Sequence, residues 1–150
     1  MDKYVTLEAS ADPKDAAAYT AGDVVGGLMT FTLPGVAGGG IINSVLLTDD
    51  DNEKAEISLY LFDEEPTTIA DDAAFAPTAA DLKKMICGPI VFAAADFTTV
   101  NSLAYAYEGD LNYTFTADGK NQIYGYAVCT ATPTYAATKT LHFQMRILTH

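Results

Sequence analysis

Hydrophobic and polar residues alternate with period two along much of this chain, in short stretches separated by turn-forming residues. The cleanest stretch is 55–62. Ala55, Ile57, Leu59 and Leu61 point one way, and Glu56, Ser58, Tyr60 and Phe62 the other, the pattern of a half-buried strand. In 111–116, Leu111, Tyr113 and Phe115 share one side. In 140–148, Leu141, Phe143, Met145 and Ile147 face inward while His142, Gln144 and Arg146 face out. Further strands are expected at 4–8, 24–33, 41–49, 90–94, 100–107 and 123–130. Pro34, Gly35 and the glycines 38–40 punctuate the second and third of these, and three glycines in a row read as a turn rather than a strand interior. The run Ala117-Asp118-Gly119-Lys120 carries the Asp-Gly signal of a hairpin. One short helix is expected near 78–86, because Asp81 follows Thr78 by three residues as in a capping box, and Gly88 and Pro89 stop it.

Eight or nine short strands with turns about every ten residues predict an all-β fold, a single-domain β-sandwich or jelly roll. Residues 1–20 read as an N-terminal strand and arm, and 21–150 as the sandwich. A length of 150 residues suits one domain, and a hydrophobic fraction of 49% is enough for a core without disulfides or metal.

Charge narrows the function classes. The net charge is −12. Ten carboxylates lie between Asp49 and Asp72 against a single Lys54, so that segment alone supplies −9 of the total. Such a chain is repelled by a phosphate backbone, so no nucleic-acid partner is expected. No apolar run follows Lys3 and none is long enough to cross a bilayer, so neither a secretory leader nor a membrane partner is expected. Cys87 and Cys129 are far apart, without CxxC spacing, and read as buried free thiols, with a single disulfide as the alternative.

Candidate chemistry is sparse. The acidic run 49–53 lacks the Gly and the distal Glu of an EF-hand loop, since Lys54 and Tyr60 stand at those positions; a solvated turn is favoured over a calcium site. Asp63, Glu64, Glu65, Asp71 and Asp72 form a second acidic group, read as a solvated loop rather than the paired carboxylates of a glycosidase. His142 and His150 cannot make a metal site by themselves, and His142 is placed on the outer face of an edge-like strand. No serine lies in a GxSxG elbow, and GDVVGG at 22–27 lacks both GxGxxG spacing and a P-loop lysine; Gly26 and Gly27 read instead as a bulge or a close backbone approach. No catalytic, cofactor-binding or metal residue is therefore assigned. Tyr105, Tyr107, Tyr113, Tyr124, Tyr126 and Tyr135 crowd the second half, as core and subunit contacts or, alternatively, as a carbohydrate-stacking platform.

Three segments together, AGDVVGGLMTFTL at 21–33, IINSVLLTDDDNEKAEISLYLFDEEP at 41–66 and TPTYAATKTLHFQMRIL at 132–148, resemble small virion structural proteins of tailed bacteriophages, of the jelly-roll head decoration or cement type. The resemblance runs from about Tyr19 onward and includes the AAFAPTAADL helix entry. It implies a non-enzymatic protein on the outside of the head, made in the host cytoplasm, with the major capsid protein and itself (homotrimer or homodimer) as partners. A tail-fibre or baseplate module that binds host carbohydrate is the alternative. The resemblance brings no catalytic residues with it. The acidic turn 49–53 and the arm 9–20 depart from its pattern.

Overall fold

The computed structural model describes residues 3–13, 17–35 and 38–149. Ten strands build two antiparallel sheets. The first contains β1 (Lys3–Ala11), β10 (Leu141–Thr149), β3 (Gly39–Asp49), β7 (Leu103–Glu108) and β6 (Thr98–Val100) in that order, with β8 (Tyr113–Thr116) pairing the other end of β3. The second runs β2 (Val24–Thr32), β9 (Gln122–Cys129), β4 (Ile57–Phe62), β5 (Met85–Phe92). The chain passes repeatedly from one sheet to the other. β1, β10, β3 and the β7/β8 position face β2, β9, β4 and β5, which is the two-Greek-key order of a jelly roll.

The core lies between the sheets. Leu7, Val45, Leu47, Phe143, Met145 and Ile147 meet Phe31, Ile57, Leu59, Leu61, Ile90 and Phe92, all but fully buried. Phe92 and Phe143 touch edge to face across it, ring centres 6.1 Å apart. The alternation expected for 140–148 is present in β10, with Leu141, Phe143, Met145 and Ile147 at 0% exposure. His142 does face out, but β10 is an interior strand between β1 and β3, not an edge.

Several expectations change. The helix is one turn, α1 (Ala79–Leu82), because from Met85 the chain pairs with β4 and becomes strand. Its start is as expected: the Asp81 N–H donates to Thr78 Oγ1 at 3.1 Å and the Thr78 N–H to Asp81 Oδ2 at 3.1 Å. The described residues form ten strands rather than eight or nine, because β6 separates from β7; the strand expected at 90–94 also begins earlier, at Met85. Gly39 and Gly40 are inside β3, not in a turn. A Cβ there would sit 2.4 Å from the Phe115 carbonyl oxygen and 2.5 Å from that of Leu148, so the neighbouring backbones demand glycine. The Asp-Gly turn links β8 to β9, which belong to opposite sheets, so it is a crossover and not a hairpin. Gly26 and Gly27 form the expected bulge, with φ of +82° and +78° where the β2–β9 register shifts. Residues 14–16 of the arm and His150 lie outside the described residues.

Candidate functional site: one covered face and one bare face

The two outer faces of the sandwich are treated differently. Strand β4 was expected to be half-buried. Instead its second side is buried too, with Phe62 at 0% exposure. The cause is the long segment between β4 and α1, which folds back over the second sheet. Its Ile69 and Phe75 pack on Val24, Tyr60, Phe62, Tyr126 and Val128 and make a second, smaller core. Phe75 stacks tilted on Tyr60 at 4.5 Å and lies 5.7 Å from Tyr126.

Hydrogen bonds pin this cover. The Tyr126 hydroxyl donates to the Thr67 carbonyl at 2.8 Å and accepts the Ile69 N–H at 2.9 Å. Asp71 Oδ1 accepts from the Tyr19 hydroxyl at 2.7 Å and the Gly26 N–H at 2.6 Å. Backbone bonds from Asp72 to Val24, Val24 to Ala73 and Phe75 to Gly22 pair the start of the β2 edge. Asp81 accepts the Thr67 N–H at 2.9 Å, and this bond with that from the Thr78 N–H holds its carboxyl down to about 2.

Among the described residues the first sheet has no such cover. Cross-strand pairing lines up outward-facing rows: Thr6, Arg146 and Ser44; Glu8, Gln144, Leu46 and Tyr107; Ser10, His142, Thr48 and Tyr105. Of the seven large apolar side chains left exposed among the described residues, five are on this sheet: Tyr4, Val100, Leu103, Tyr105 and Tyr107, the last at 58%. Two depressions mark the surface. A hollow of about 150 Å³ is lined by Thr6, Ser44, Leu46, Tyr107, Gln144 and Arg146. Beside it an open, apolar trough of about 550 Å³ runs along Leu46, Val100, Leu103 and Tyr105. The Tyr107 ring lies over Gly109, where a Cβ would come within 2.8 Å of Cε1, so glycine lets the ring take that place.

The acidic groups do structural work and do not converge. Asp49 is fully buried and its carboxylate accepts the Asp51 N–H at 3.0 Å and the Lys54 N–H at 2.9 Å, closing the turn after β3; burial pushes its carboxyl above the usual range. Asp50 accepts from the Thr140 hydroxyl and Asp51 from the Ala136 N–H. The 49–53 turn and the 63–65 group sit at opposite ends of β4, roughly 20 Å apart for a six-residue strand. Among the described residues no group of three or more His, Cys, Asp or Glu side chains is arranged to hold a metal ion. Cys87 and Cys129 are free and buried, and burial pushes the Cys87 thiol up to about 11. His142 Nδ1 is 3.1 Å from Ser10 Oγ, and its Nε2 is 3.5 Å from Glu8.

The tyrosines divide. Of the six in the second half, Tyr124, Tyr126 and Tyr135 are buried, Tyr113 is half-buried, and Tyr105 and Tyr107 stand on the bare face. Leu46 is hidden in the apolar triplet Val45-Leu46-Leu47 of β3, where no alternation says which side a residue takes. Among the described residues no helix is long and apolar enough to cross a membrane. No protein-family model matches the chain, and no curated protein matches it.

Proposed function

We propose that this protein is a non-enzymatic virion structural protein that decorates the outside of a tailed-bacteriophage head, binding the major capsid protein and reinforcing the shell. The observation that supports it is the asymmetry of the jelly roll: one outer face is covered over much of its area by the chain's own loop, while the other displays tyrosines and aliphatic residues with almost no charge. A contact surface has this composition, with aromatics and arginine enriched and carboxylates sparse at its centre. A protein that binds only the assembled shell stabilises it by mass action. The acidic turns at the sandwich ends would suit a shell surface that is basic.

The second reading, a tail-fibre or baseplate module that binds host carbohydrate, draws on the hollow where the Tyr107 ring stands beside Gln144, Arg146 and Ser44. Immunogold electron microscopy of particles separates the two. Gold spread over the head is expected. Gold confined to tails, with hits on a glycan array, would favour the second reading, and absence from particles would contradict both.

A further inference from the structure

We infer that the bare face of the first sheet is covered by a second copy of this chain, packed face to face in a symmetric pair. This rests on reading that face as a contact surface, and not on which part of a particle holds the chain.

Charge selects the occupant. The chain has 20 carboxylates, yet Glu8 is the one that projects outward from the strands of the first sheet among the described residues. Asp49 points into the core, and Glu108 sits opposite buried Val45 on the inward side. Glu8 is itself held by its neighbours: it accepts from the Gln144 amide at 2.6 Å and lies beside His142. One row away stands Arg146, the chain's only arginine, with no ion pair among the described residues. Two molecules carrying −12 each repel one another through nearly every surface. The bare face is where that repulsion is smallest and apolar contact greatest. A foreign basic partner would gain more from the acidic ends of the sandwich than from this near-neutral patch.

Size and shape agree. Five strands at about 4.8 Å spacing and some eight residues of length give a face on the order of 600 Å². That approaches the roughly 800 Å² per partner of a standard interface. A face meeting its own copy is isologous: whatever Tyr107 touches in the partner, the partner's Tyr107 touches in return. The Arg146 hollow then receives a side chain of the second copy, and Glu8 lies on the same face as an acceptor for the partner's arginine. Such a contact closes at two copies, which selects the dimer over the trimer.

Sedimentation velocity of the full chain, from low to high micromolar and across a salt series, tests this. A monomer–dimer equilibrium is expected. Added salt should strengthen it, because screening removes the repulsion between like-charged molecules while leaving apolar contact in place. Tyr107→Glu should raise the dissociation constant by about tenfold or more, as for a central aromatic contact. Val91→Glu changes an exposed apolar residue on the second sheet and should leave association unchanged. Both positions are exposed, so both variants should keep the wild-type circular dichroism and melting temperature. A monomer at every concentration and salt overturns the inference, as does a trimer, a dimer untouched by Tyr107→Glu, or one that salt dissociates. None of these results would move the protein off the head, so the two readings fail separately.

Discussion

Replacing Gly26 with alanine is expected to destabilise the protein by about 3 kcal/mol or more, through left-handed backbone strain of about 1–2 kcal/mol and overpacking of about 1–3 kcal/mol. Gly26 sits in the β2 bulge with φ +82°. A Cβ there would lie 2.5 Å from the Asp12 nitrogen and 2.7 Å from Ala11 Cα and C, at the end of β1. Those are main-chain atoms, so no rotamer change relieves the overlap. The same residue donates its N–H to Asp71, so a shifted backbone also loosens the loop over the second sheet. Gly22→Ala is the matched control. Its φ is +96°, but nothing lies within 4 Å of the added Cβ, so only backbone strain of about 1–2 kcal/mol applies. Urea unfolding of both variants checks the difference; equal losses would contradict the close approach between β1 and β2.

Removing the Tyr126 hydroxyl has the second large expected effect. The Tyr126→Phe variant keeps the ring, and with it the edge-to-face contact with Phe62 at 6.1 Å. It loses both hydrogen bonds that pin the covering loop, and the Thr67 carbonyl and Ile69 N–H then lack their partner. A loss of about 2 kcal/mol is expected for groups left unsatisfied in this way. The loss should fall on the loop first, so limited proteolysis should cut 63–78 sooner than in the wild type while the strands remain protected. Unchanged stability and unchanged cleavage would mean that Ile69 and Phe75 hold the cover by packing alone.

These two sites show why the sequence reads well in some places and poorly in others. Where one side of a strand meets the core and the other meets water, as in β10, alternation states both the element and its orientation. In β4 the alternation is present, but its second side is covered by a segment whose large apolar residues, Ile69 and Phe75, stand singly among small and polar ones and have no period to betray them. β7 is more instructive. In Leu103-Ala104-Tyr105-Ala106-Tyr107 the alanines point inward and the large residues out. Ala104 and Ala106 are fully buried on the side that packs against β5, where small side chains let the sheets approach. Size patterning alone would turn this strand over. The bare face was therefore legible only in part: Arg146 and Gln144 could be placed outward from β10, whereas Leu46, Tyr105 and Tyr107 required the register of β3 and β7. The glycines 39 and 40 failed for a related reason, since their constraint comes from strands far away in sequence.

Oxidative footprinting of tyrosine tests the central claim, that the first sheet's outer face is a contact surface and the second sheet's tyrosines are covered from within. It compares dilute protein, concentrated protein and assembled particles. Tyr105 and Tyr107 should be labelled when dilute and protected on assembly, while Tyr124, Tyr126 and Tyr135 stay unlabelled throughout. Equal labelling of Tyr105 and Tyr107 in all three samples would contradict it.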